Sequence, residues 1–326
     1  MLSKKELTTV AAMLVLLITV VSALFLLFIH PPPILFSLKA AMVDQLGAEF
    51  PNPAFVSNAT STLEAYGFDV TYYNETIDVD FFKELAKRDY GIIVLRTHSA
   101  LRTDNSTVDL FTSETYRSSA HTYEQENRLV VAGTLYYTGT SREYFAITSK
   151  FIENLDGTFP KSIVIAMGCW GLKPGLEQTL ANAFVKKGAT AFLGWTNLVG
   201  CSHSDSETSK LLTNLLVHNK TLGEAVNATE PDFDYWSQMK YYPTEVNNLK
   251  ISDLVAEANT QATSRLQLTT LPYGLLQRLL VTDSWLEVSR IESDKAGLLD
   301  VSLFSRRPYS TGCEGHRLLD WSSAIS

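Results

Sequence analysis

Ser162–Trp195 reads SIVIAMGCWGLKPGLEQTLANAFVKKGATAFLGW, and the reading of this stretch decides the fold. Ser162 to Gly168 is a short apolar run between polar neighbours, the pattern of a strand buried on both faces. Leu176 to Lys187 carries Leu176, Leu180, Ala183 and Phe184 at helical spacing, and Gly188 follows where a helix end wants a left-handed residue. Ala189 to Trp195 is a second apolar strand. The unit is strand, helix, strand, so the two strands are expected to be parallel. Ligands bind beyond the carboxyl ends of the strands in open parallel sheets. Cys169 stands at that place.

Working outward, Tyr90–Thr97 (YGIIVLRT) is another apolar strand, and it ends in His98. Neighbouring strands would bring a thiol and an imidazole together on one rim. Such a pair suits covalent acyl transfer: the thiolate attacks a carbonyl and the imidazole delivers a proton to the leaving amine. Further back, a first strand is expected within Ile34–Gln45 and a helix near Ala54–Tyr66 capped by Gly67. A strand over Asp69–Tyr73 and a short helix over Asp78–Lys87, with Phe81, Phe82 and Leu85 inward, follow. This alternation predicts an α/β fold with a doubly wound, mainly parallel sheet.

Residues 101–140 interrupt the alternation. Val108–Tyr116 and Arg128–Tyr137 read as strands that could pair as a hairpin beside His98. Tyr144–Leu155 reads as a helix, with strand an alternative for its first half. After Trp195 a polar loop is expected, then a helix over Thr208–His218. From Pro231 the segment DFDYWSQMKYYP is aromatic and irregular. Leu254–Gln267 is weakly helical, and the remainder shows no periodicity. The domain reading is an anchor over 1–30, an α/β domain over 31–255 and an extension over 256–326.

The order of these motifs resembles the caspase, legumain and gingipain clan of cysteine peptidases. An apolar strand leads to His98, another to Gly168–Cys169, and a helix and strand follow through Gly188–Ala189. AFVKKGATAFLGW and the turn HNKTLGEAV look most like the gingipain and CHAT-type branch. The resemblance covers roughly residues 35 to 230. It implies a caspase-like fold, no cofactor and a polypeptide substrate. It also implies His98 as general acid/base, Cys169 as nucleophile, and the N–H groups of Cys169 and Ser99 around the oxyanion. By the same analogy Trp195, Thr196 and Asn197 border a substrate pocket, with a place in the core the alternative for Trp195, and Asp205 is a further pocket candidate that could pair with Arg or Lys. Two positions depart from the family pattern: Ser99 stands where Gly is usual, and Gly168 where Ala is frequent. A catalytically silent relative with a binding or scaffold role is the alternative.

Other features bound the function. The chain has 326 residues, 45% apolar and 19% charged, ample for a core, and its formal charge of −8 with no basic tract argues against nucleic-acid binding. Thr9–Ile29 carries no charge, and about twenty such residues span a bilayer core. It is longer than the roughly 7–15 residues of a secretory h-region and lacks a small-x-small cleavage site. Lys4 and Lys5 precede it, so the expectation is a single-pass cell-membrane anchor with a cytoplasmic N-terminus and an extracytoplasmic bulk. Sequons at Asn58, Asn74, Asn105, Asn219 and Asn227 fit an exported glycoprotein. Of Cys169, Cys201 and Cys313, a Cys201–Cys313 bridge would leave Cys169 free, whereas Cys169–Cys201 would abolish the nucleophile. His203 and Asp205, joined by His98 or His121, are a thin case for a metal, since no CxxC or HExxH occurs.

Overall fold

The structure, a computed structural model, describes residues 4–29, 35–137, 140–177 and 179–269. The chain divides into two units, 1–270 and 271–326; the second, with Cys313 and the apolar segment Leu271–Leu286, lies outside the described residues.

The first helix, α1, is Lys4–Ile29. Among the described residues no helix is long and apolar enough to cross a membrane. The body then runs β1 (Lys39–Asp44), α2 (Pro53–Tyr66), β2 (Asp69–Tyr73), α3 (Val79–Leu85) and β3 (Ile92–Arg96). A second sheet follows, with β4 (Ser99–Leu101), β5 (Val108–Thr115), α4 (Thr122–Glu126), β6 (Val130–Tyr137) and β7 (Thr140–Ile147). The main sheet resumes through α5 (Ser149–Glu153), β8 (Ile163–Ala166), α6 (Leu180–Lys186), β9 (Ala191–Trp195) and α7 (Cys201–Leu212). The chain continues through α8 (Leu222–Asn227), β10 (Met239–Tyr242) and α9 (Ile251–Thr269).

The main sheet has the order β10-β9-β8-β3-β1-β2, parallel throughout except for β10. Alternate strand residues supply two cores, as the period of two requires. Ala41, Val43, Ile93, Leu95, Val164 and Phe192 pack with α3, α5 and α6 on one face. Ala40, Met42, Ile92, Val94, Ile163 and Leu193 pack with α2, α7 and α8 on the other. Helices cover both faces of this mixed, mostly parallel sheet, an arrangement compatible with a doubly wound fold. Strand order reverses at β1, with β2 on one side and β3 on the other, so the crevice beyond β1 and β3 is the natural binding position.

Several local expectations need correction. The helix expected from Leu176 begins at Leu180. Gly175 N–H is held by the Glu177 carboxylate at 2.9 and 3.0 Å, and Thr179 Oγ1 donates to Leu176 O, so local side-chain bonds compete with the first turn. Val108–Thr115 and Val130–Tyr137 are strands, yet they do not pair with each other. β7 lies between them, in a four-stranded antiparallel sheet β4-β5-β7-β6. The first part of Tyr144–Leu155 is therefore strand, and helix starts only where Thr148 Oγ1 caps Phe151 N. The segment after Trp195 is helical from Cys201, because its polar side chains are bonded internally. Ser204 Oγ accepts from Trp195 Nε1 at 3.0 Å and donates to Met167 O at 2.8 Å. The irregular stretch after Pro231 ends in β10, antiparallel on β9.

Candidate active site

β3 and β8 are adjacent and parallel, with Leu95 opposite Ala166. Both chains leave the sheet on the same rim, so His98 and Cys169 emerge side by side. They line one cavity of about 80 Å³, together with Leu46, Arg96, Gly168, Cys201 and Asp205. That is a space on the scale of a handful of waters, so the two residues border a small cleft.

His98 is pinned through its backbone, since its N–H donates to Gln45 Oε1 at 2.9 Å. Its ring meets the edges or faces of Phe50 and Phe111 at centroid distances of 6.0 and 6.3 Å. Its Nε2 is 3.4 Å from Glu49 Oε2, and Tyr144 of β7 reaches the other Glu49 oxygen at 3.5 Å. With the His98 side chain 22% exposed, burial pulls the imidazole pKa below its ordinary value, against the opposing pull of Glu49. Sequence reasoning did not single out Glu49. The one available signal was topological: an acidic residue just after β1 lies beside the end of β3.

Cys169 sits on a clamped peptide. Its carbonyl accepts from Ser99 Oγ at 2.5 Å, and the next N–H, that of Trp170, donates to Asn197 O at 2.9 Å. Trp170 is held at φ 65°, a left-handed conformation uncommon for a bulky residue. Gly168 is required here by close approach. A Cβ at 168 would lie 2.4 Å from Ser99 Oγ and 2.4 Å from Thr97 O. Gly168 and Ser99 are therefore complementary, because the Ser99 hydroxyl and the Thr97 carbonyl fill the space an alanine at 168 would need. The thiol donates to Val199 O at 3.9 Å. Burial pushes its pKa above the ordinary thiol value.

The backbone N–H of Cys169 has no backbone acceptor among the described residues. The direction of the Ser99 N–H follows from register. Phe111 N–H bonds His98 O, so Ser99 and Leu110 form the non-hydrogen-bonded pair that alternates with it. Ser99 N–H thus points off the open side of β4, towards Gly168, whose Cβ position would be 3.0 Å from Ser99 N.

Arg96 anchors this rim. It is 1% exposed. Its Nε and Nη2 grip both oxygens of Asp205 at 2.7 and 2.9 Å, its Nη1 bonds Asp44 at 2.7 Å, and Nη2 also reaches Phe50 O at 2.7 Å. Burial works against the guanidinium charge, but Asp205 and Asp44 outweigh it and raise the pKa further. Tyr72, half buried against Asp44, is pushed up to about 12 by burial and that hydrogen bond. Asp205 is therefore not a vacant carboxylate for a basic substrate: Arg96 and Asn52 Nδ2 already occupy its oxygens.

The other pocket candidates are placed differently from the expectation. Trp195 is 0% exposed and belongs to the core. Neither it, Thr196 nor Asn197 lines the cavity. Asn197 instead ties the Cys169 loop to residues 235–237. His203 donates to Glu230 O and His121 faces the Glu114 carboxylate, each away from His98. Among the described residues no group of three potential ligands is placed to hold a metal. Cys169 and Cys201 are both free thiols, so the bridge between them is not formed.

No protein-family model matches this chain, and no curated protein matches it either.

Proposed function

We propose that this chain is a membrane-anchored, extracytoplasmic cysteine endopeptidase of caspase-like fold, acting through His98 and Cys169. The observation that carries the reading is the sharing of one small cavity by these two side chains, at the carboxyl ends of adjacent parallel strands. The pKa directions favour a neutral dyad at rest, thiol beside imidazole. His98 then takes the thiol proton as Sγ attacks the scissile carbonyl carbon. The C–S bond forms, and the carbonyl π electrons move to oxygen, towards the N–H groups of Cys169 and Ser99. Collapse breaks the C–N bond, with the imidazolium protonating the leaving amine. Water, deprotonated by His98, releases the acid from the thioester. Glu49 faces Nε2 of the imidazole and stabilises its charged form.

The anchor rests on the sequence. The uncharged run Thr9–Ile29 falls within one helix of 26 residues, about 39 Å long at 1.5 Å per residue, against a hydrocarbon core of about 30 Å. The asparagines of all five sequons are exposed, which suits a glycosylated surface.

A second reading, a silent surface domain that kept the fold, is favoured by the half-buried thiol, whose pKa burial raises, and by the small cavity. A fluorogenic peptide library separates the two. The proposal expects turnover that falls by at least about 100-fold in Cys169→Ala and in His98→Ala. Turnover that is absent, or equal in wild type and Cys169→Ala, favours the silent domain.

A further inference from the structure

Between α8 and β10 the chain makes a tight excursion, Asp232–Ser237, whose base and tip have opposite character. The base is buried and fully bonded. Asp232 and Ser237 exchange both backbone hydrogen bonds, at 2.8 and 3.0 Å. Asp232 Oδ2 accepts from Gly200 N at 2.9 Å, and Oδ1 from Asp234 N at 3.1 Å. Ser237 Oγ accepts from Asn197 N at 3.0 Å, and Asn197 Nδ2 donates to Tyr235 O at 2.7 Å. The tip is aromatic and faces water: Trp236 is 80% and Phe233 66% exposed, their rings 6.4 Å apart, with Tyr235 and Leu198 exposed beside them.

A loop that merely connects two elements gains nothing from such side chains. Trp236 is moreover held at φ 52°, a left-handed conformation that an indole residue adopts at a penalty. A hydrogen-bonded base presenting exposed aromatics is a backbone-fixed contact surface, and aromatic anchors of this kind dominate recognition. Its position names the occupant. Met239 pairs with Trp195, so the loop stands on the carboxyl rim of the main sheet. Asn197, which holds the loop, also accepts the Trp170 N–H next to Cys169. The surface is thus continuous with the nucleophile's own loop.

A lipid surface is the rival occupant for exposed aromatics. Connectivity argues against it. The chain enters the sheet at Lys39, on the amino rim, and β1 is about 20 Å long. Only six residues separate Ile29 from the buried Phe36, a reach of roughly 25 Å at most. The tether therefore holds the amino rim towards the bilayer, and the aromatic loop lies at the far rim.

We propose that Phe233, Tyr235 and Trp236 form a subsite for bulky apolar side chains of a polypeptide held across Cys169. This rests on the peptidase reading and gives it a substrate class: chains with a large apolar residue a few positions from the cleaved bond.

Binding tests it without turnover. Full-length chain carrying Cys169→Ala in proteoliposomes is titrated, by fluorescence anisotropy, with two fluorescein-labelled hexapeptides that differ only in Phe against Ser at the first position, a few residues before the central bond. The expected result is at least about 10-fold tighter binding of the Phe peptide, falling to within about 2-fold when Trp236→Ala or Phe233→Ala is added. A ratio near one in the parent, or a ratio unchanged by both substitutions, overturns the proposal. Quenching of tryptophan fluorescence by brominated phosphatidylcholine that disappears in Trp236→Ala also overturns it, and assigns the loop to lipid. Loss of peptidase activity in Cys169→Ala is a separate readout, so failure of the subsite and failure of the enzyme are distinguishable.

Discussion

A methyl group at position 168 has no room. It would press on a hydroxyl at Ser99 and a carbonyl at Thr97, and the carbonyl belongs to backbone that cannot swing away. Gly168→Ala should therefore destabilise the chain by about 1–3 kcal/mol in denaturant unfolding. Ser99→Gly in the same background should recover only part, because the Thr97 carbonyl remains. Full recovery would mean that the hydroxyl alone sets the fit. The thiol next to it gives a second prediction. With its pKa raised by burial, alkylation of Cys169 by iodoacetamide should keep accelerating through and beyond pH 9. A rate already at its plateau near pH 7 would indicate a preformed thiolate–imidazolium pair instead. His98 and Cys169 were legible in the sequence because each follows an apolar run long enough to be only a buried strand. Glu49 was not, since it acts across nearly fifty residues from a turn with no pattern of its own. Trp195 was ambiguous for another reason: an aromatic ending an apolar run can finish the core or open a pocket, and Ser204 decides it by taking the indole N–H.

At the scale of elements, Arg96 welds the end of β3 to β1 through Asp44 and to α7 through Asp205. Removing the cation leaves two carboxylates buried with no counter-charge. Arg96→Met should lower stability by about 3–5 kcal/mol, read from thermal or denaturant unfolding. Adding Asp44→Asn and Asp205→Asn to that variant should restore part of the loss, and no restoration would show that packing of the guanidinium, rather than charge, matters. The capping box at Thr221, closed by Glu224 in both directions, predicts a smaller effect: Thr221→Ala should cost about 1 kcal/mol. The parallel βαβ units were readable from periodicity alone. The second sheet was only half readable. Phe145–Ile147 is buried on the strength of pairing with β5 and β6, and so short an apolar stretch carries no period that separates strand from helix. The start of α7 was hidden because Ser204 and Asp205 look solvated in sequence and are buried in the fold.

For the whole molecule, the two rims of the main sheet divide the labour. The first strand is entered from the amino rim, and the carboxyl rim carries His98, Cys169, the Arg96 cluster and the aromatic loop; in the proposed reading the first is the tethered side and the second the catalytic one. The proposed extracytoplasmic placement predicts that chain expressed in an export-competent host loses mass on enzymatic deglycosylation, and that substituting the sequon asparagines by Gln removes the shift. An unchanged mass would place the body on the other side of the membrane. The central claim, that Cys169 and His98 form a working dyad, is tested most directly by treating the full chain with a peptidyl acyloxymethyl ketone and mapping the adduct by mass spectrometry. The account predicts a single thioether on Cys169, lost in Cys169→Ser and strongly slowed in His98→Ala. An adduct on Cys201, or equal labelling with and without the His98 imidazole, would contradict it.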